Sequence, residues 1–129
     1  MSPPLETGRA AMKHVSTGKK RSKFAPLLAS SSVQAAMMVL RPGDSSSDEP
    51  EDEHPRAEQW VYVVSGSGRA KTNRRSVALR AGSLLLIERN EAHQITATGS
   101  ESLVTVNFYA PPAYTDDGEV RAGVKRKKW

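Results

Sequence analysis

Between Phe24 and Ala110 the chain never sustains a helical hydrophobic period. It breaks instead into short pieces with strand character: FAPLLAS, VQAAMMVLRPG, QWVYVVSG, GRAKTN, SVALR, GSLLLIE, HQITAT and SLVTVNFYA. Gly, Asn, Ser or an acidic turn bounds each piece. Runs rich in β-branched and aromatic residues suit a pleated, half-buried surface. Many short strands spaced by turn signals predict an antiparallel sandwich or small barrel. In VQAAMMVL, Gln34, Ala36, Met38 and Leu40 would share one strand face; a short helix is the alternative, since Ala and Met are good helix formers. Asn73-Arg74-Arg75 is a hairpin candidate without the usual glycine. After Ala110 the two prolines cannot continue a central strand.

The 129 residues are enough for one domain with a modest core. There is no cysteine, which excludes disulfides, thiolate metal sites and a cysteine nucleophile, and fits a reducing compartment. No apolar run reaches the roughly 20 residues of a membrane helix. The N-terminus lacks the apolar middle of a signal peptide, so a cytoplasmic location is expected. The net charge of +5 is divided unevenly. Residues 1–23 and 121–129 together hold eleven bases and one acid, while 24–120 hold eight bases and thirteen acids. An acidic centre between basic tails is not the footprint of a nucleic-acid groove. The tails alone would touch polyanions weakly and with strong salt dependence. The chain therefore divides into a flexible basic leader (1–22), a β-barrel (23–114) and a basic C-terminal tail (115–129), with both termini expected to be disordered.

Two of the three histidines occupy similar settings. His54 precedes one strand-like run near Asp52, Glu58 and Gln59. His93 begins another near Glu88, Asn90 and Glu91. Imidazole nitrogen with carboxylate oxygen suits a divalent transition metal, and a barrel brings distant strands to one cavity. His14 lies in the leader, away from both.

The region from Arg41 to Tyr114 resembles the cupins, small jelly-roll barrels also described as a double-stranded β-helix. Their first motif, G-x5-H-x-H-x3,4-E-x6-G, falls on DEHPRAEQWVYVVSG: His54 matches the second histidine, Asp52 takes the place of the first, and Gly66 closes it. Their second, G-x5-P-x-G-x2-H-x3-N, falls on GSLLLIERNEAHQITA: Gly82 and His93 match, while Glu88, Asn90 and Ala97 depart from it. The resemblance implies an all-β barrel and a metal set of Asp52, His54, Gln59 and His93, for Fe, Mn, Zn or Ni. The glutamate position falls on Gln59 when counted back from Gly66, or on Glu58 by the shorter spacing. Only one of two neighbouring strand residues can face the cavity. The Gln59 register also turns Val61 and Val63 inward and Trp60 and Tyr62 outward.

Two function classes follow from the resemblance. One is a metal-dependent oxygenase, isomerase or lyase, with the metal polarising a substrate oxygen. The other is a metal-free module binding a small polar molecule, such as a sugar or an effector. An interaction protein working through basic tails is a third and weaker reading. Pairing with a second copy is expected of a small barrel with an apolar outer face. Trp60, Tyr62, Phe108 and Tyr109 are read as barrel core or subunit interface, with a place on a ligand pocket as the alternative. Met37 and Met38 are read as packing. Arg69, Lys71, Arg74 and Arg75 are read as a solvated hairpin, and Arg41 or Arg89 as alternatives for holding an anionic ligand.

Overall fold

A computed structural model describes residues 12–18 and 22–121. It contains eight strands: β1 (Phe24–Ala29), β2 (Gln34–Leu40), β3 (Glu58–Ser65), β4 (Ser67–Thr72), β5 (Ser76–Arg80), β6 (Leu84–Ile87), β7 (His93–Ala97) and β8 (Leu103–Ala110). They form a five-stranded sheet, β1-β2-β8-β3-β6, and a three-stranded sheet, β5-β4-β7, with every pairing antiparallel. The all-β expectation holds, and the Gln34–Leu40 segment is a strand, not a helix. Its pairing with β8 over its whole length overrides the helix preference of Ala and Met.

Gly66 alone separates β3 in the large sheet from β4 in the small one. Its φ of 83° is left-handed, and a Cβ there would collide with the Ser102 carbonyl oxygen. Asn90, where the resemblance expects glycine, also takes a left-handed φ of 65°. Asn tolerates that conformation better than most residues, so the turn survives the departure. The β4–β5 hairpin closes without glycine because the Thr72 hydroxyl accepts from the amides of Arg74 and Arg75.

Leu40, Val61, Val63, Ile95 and Leu103 are fully enclosed and join Met38, Leu79 and Ile87 in one core between the sheets. A second cluster, Ala36, Ala57, Tyr109, Ala113 and Tyr114, lies toward the other end. That end also holds buried polar side chains, and there the site lies.

The acidic connection after β2 is not a loose loop. Gly43 and Asp44 bond to Ala97, Ser46 to Ile95, and Glu51 to His93 in both directions at 2.9 and 3.0 Å. The connection thus lies along β7 as a strand-like edge. This lays its polar residues beside the barrel mouth. Residues 113–121 fold back as well. The Gln34 side chain accepts from the amides of Ala113 and Tyr114 and donates to the Tyr114 carbonyl, and Arg121 N donates to Ala113 O at 2.7 Å.

The leader expectation for 1–22 falls partly outside the described residues, as does most of the tail expectation for 115–129. Within the described part, Lys13 Nζ donates to the Ala29 carbonyl and His14 is exposed.

Candidate functional site

A cavity of about 320 Å³ opens at the polar end of the barrel. Gln59 comes from β3, His93 and Ile95 from β7, Met38 from β2 and Tyr109 from β8; Glu53 comes from the acidic edge and Tyr114 from the folded-back segment. Lys23, Phe24, Ser46 and Gly118 complete the lining.

Strand alternation decides which residue of the Glu58–Gln59 pair enters. Gln59 is buried, Glu58 is not, and Glu58 accepts from the indole N–H of Trp60 on the outer face. Val61 and Val63 point in, while Trp60, Tyr62 and Val64 point out. The inward side chains of neighbouring strands then meet. Gln59 Oε1 lies 2.9 Å from His54 Nε2, and Gln59 Nε2 donates to Asn107 Oδ1 at 3.2 Å. Asn107 Nδ2 in turn donates to the Thr105 hydroxyl at 3.1 Å. His54 is clamped at its other nitrogen, where Nδ1 donates to the Ala57 carbonyl at 3.1 Å across a tight turn.

His93 sits differently. Its Nδ1 lies 2.9 Å from the Glu91 carbonyl oxygen, which can only accept, so Nδ1 carries the hydrogen. Nε2 is left as the acceptor of a neutral ring. Burial lowers the His93 pKa, the nearby His54 ring adds to this, and the Glu91 bond and Asp52 oppose it. The ring is only 3% exposed, and among the described residues no protein group bonds to Nε2. The two imidazole centroids are 5.0 Å apart.

The acids and phenols of the cavity are also perturbed. Burial, then Glu51, raises the Glu53 carboxyl, with Lys23 pulling the other way. Burial raises both Tyr109 and Tyr114, and Glu53 adds to each. Their rings pack edge-on at 4.9 Å, and Phe24 lies 4.7 Å from Tyr114.

Of the four expected metal ligands, the structure brings His54, Gln59 and His93 together. Asp52 is not on the cavity wall, although it acts on the ionisation of His93. The donor set does not match a resident divalent ion. Among the described residues no three His, Cys, Asp or Glu side chains group around a common point. The ligating nitrogen of His54 faces Gln59, an uncharged amide whose other end is bound to Asn107. A divalent ion held between His54 and Gln59 gains no anionic oxygen from position 59 and breaks that chain of bonds.

Sequence reasoning missed Glu53, Asn107 and Tyr114. Glu53 looked like one more acid in a run of acids. Asn107 carried a readable signal, an amide at an inward position of an alternating strand. Tyr109 is a cavity residue, whereas Trp60, Tyr62 and Phe108 lie on the outer face and not in the barrel core. Arg41 and Arg89 stay outside the cavity; Arg89 donates to the Arg56 and Ala110 carbonyls.

Two antiparallel sheets closed around a mixed polar and aromatic cavity define a jelly-roll barrel. The cupin domain model matches residues 36–109, and the chain belongs to the cupin family. A Bacillus halodurans protein shares the fold at 23% identity and a TM-score of 0.70, with 81% of each chain covered. A Klebsiella pneumoniae protein with a double-stranded beta-helix domain follows at 19% identity and 0.64, covering 78% of this chain and 91% of its own. KdgF from Halomonas is similar at 21% identity and 0.62, covering 73% and 80%. No curated protein matches this chain.

Proposed function

We propose that the barrel binds a small polar organic molecule without a resident metal. The observation that carries this is His93 Nε2, a buried acceptor with no protein partner among the described residues, on the wall of the cavity. A buried acceptor left unmet costs about 1–3 kcal/mol, which a ligand hydroxyl or amide would recover. The space equals roughly ten water molecules, enough for a compact molecule of monosaccharide size. The phenols of Tyr109 and Tyr114 and the Gln59 amide offer further hydrogen bonds. Phe24 and Ile95 offer apolar contact.

A second reading is favoured by the titrating groups. Burial pushes Glu53 up and His93 down, which brings the proton affinities of a carboxyl and an imidazole toward each other on one cavity. Such a pair suits acid–base isomerisation or elimination on the bound molecule.

The test begins with elemental analysis of protein purified without added metal. Thermal-shift screening against monosaccharides, hydroxy acids and polyols then follows, on the parent chain and on His93→Ala. The proposal expects a metal-free folded protein and at least one stabilising compound whose effect His93→Ala removes. A stoichiometric transition metal in the purified protein would overturn the metal-free reading.

A further inference from the structure

Strand β5 ends the three-stranded sheet and β6 ends the five-stranded one, and no strand pairing joins the two. A second cavity of about 330 Å³ lies along this seam. The Arg80–Ser83 turn closes one end of it. At the other end β5 has just begun and β6 has just finished, so Arg75 and Glu88 flank the same opening. Ala70, Val77, Leu85 and Ile87, all buried or half-buried, give the cavity an apolar floor. Lys71, Arg74 and Arg75 line it from the β4–β5 hairpin, and Glu88 and Glu91 from the turn between β6 and β7. His93 is the one residue that also lines the cavity at the polar end.

We propose that the seam is a second binding site, for a small zwitterion with its two charges at opposite ends of an apolar body. Three bases within five residues of one hairpin repel one another. Among the described residues none of them makes an ion pair, and neither does Glu88 or Glu91. The basic wall and the acidic wall therefore stand too far apart to neutralise each other directly. A lone anion would lie beside two acids, and a lone cation beside three bases. A molecule that carries both charges, held apart, is complementary to both walls. Its carboxylate would meet the guanidinium groups of Arg74 and Arg75, whose planar forks suit a carboxylate better than an ammonium does. Its ammonium would meet Glu88 and Glu91, and its methylenes would cover the floor. The space equals roughly ten water molecules, which suits a short ω-amino acid. The hairpin is set for this role before any ligand arrives. The Thr72 hydroxyl already holds the backbone amides of Arg74 and Arg75, which leaves both side chains uncommitted.

Titration calorimetry of the full chain tests this with 6-aminohexanoate, hexanoate, hexylamine and inorganic phosphate. The zwitterion should bind at least about tenfold more tightly than either singly charged relative. Arg74→Gln with Arg75→Gln should weaken it at least about tenfold, with the hairpin intact because Thr72 bonds backbone and not side chain. Glu88→Gln with Glu91→Gln should weaken it similarly, while the Glu91 carbonyl still holds His93. Neither pair lines the cavity at the polar end, so a compound seated there should bind both variants as it binds the parent. Hexanoate that matches the zwitterion would make the seam a plain anion site and overturn the proposal, as would phosphate that binds more tightly. A parent that takes up no 6-aminohexanoate at about 10 mM overturns it without any variant. So does binding that both folded variants retain in full.

Discussion

His54 Nε2 stands 2.9 Å from Gln59 Oε1 while His54 Nδ1 is held by the Ala57 carbonyl. Both ring nitrogens are thus held by uncharged groups, the Ala57 carbonyl and the Gln59 side-chain amide. An amide at position 59 completes a hydrogen-bond chain to Asn107; a carboxylate there would add a charge and a hard oxygen donor. Gln59→Glu should therefore bind divalent ions that the parent binds poorly, with affinity for Zn²⁺ or Mn²⁺ rising at least tenfold in titration calorimetry. Glu58→Ala should change nothing, because Glu58 lies on the other face with Trp60. Equal affinity of Gln59→Glu and parent for both ions would show that the amide does not limit the site.

Asn107 is the hub of the buried polar chain, with no exposed surface and bonds to Gln59 and Thr105. Asn107→Ala leaves two buried groups short of a partner and opens a small void. It should cost about 2 kcal/mol of stability, read as a lower urea midpoint with unchanged slope. Thr105→Val keeps the volume and removes a single acceptor, so its cost should be smaller.

The strands and their faces were legible in the sequence because alternation is local. Gln59, Val61 and Val63 alternate with Trp60 and Tyr62, and Gly66 marks the strand end that sets the register. The pairing of His54 with His93 was legible only through spacing that the cupin motifs share. Glu53 and Tyr114 were not, because both reach the cavity by chain paths without a period. Glu53 depends on Glu51 pairing with His93, and Tyr114 on three bonds from a glutamine 80 residues earlier. Trp60 and Tyr62 face outward as the Gln59 register requires, and Phe108, read as barrel core or subunit interface, lies on the same outer face.

The pH dependence should carry two opposed signals. The folded pKa of His93 is depressed below 6.5, so its contribution to stability is fully present above that value and is lost as pH falls through the folded value. The folded pKa of Glu53 is raised above 4.5, so its contribution is present below that value and is lost as pH rises through the folded value. Urea unfolding at several pH values separates them. The advantage of the parent over His93→Gln should shrink from pH 7.5 to pH 5. Glu53→Gln should gain on the parent as pH rises from 4 to 8. Parallel stability curves for parent and variants would remove both groups from the linkage.

Gln34 ties the folded-back segment to the barrel. It is 2% exposed, its oxygen accepts from Ala113 N at 3.1 Å and Tyr114 N at 2.9 Å, and its nitrogen donates to Tyr114 O at 2.9 Å. Tyr114 is thereby pressed against Phe24 and Tyr109 as one wall of the cavity. Gln34→Ala removes all three bonds without touching the cavity directly. The β2–β8 pairing does not depend on that side chain, so the barrel should stay folded at a cost of about 1–3 kcal/mol. The segment around Tyr114 should loosen first, since local opening follows the loss of its few anchors. Limited proteolysis should then cut within residues 111–121 before any strand, and amide exchange at Tyr114 should quicken at least tenfold. Stabilisation by any compound found in the thermal-shift screen should weaken in parallel. Cleavage within β2 or β8 at the same rate would mean that Gln34 supports the whole sheet and not this wall alone.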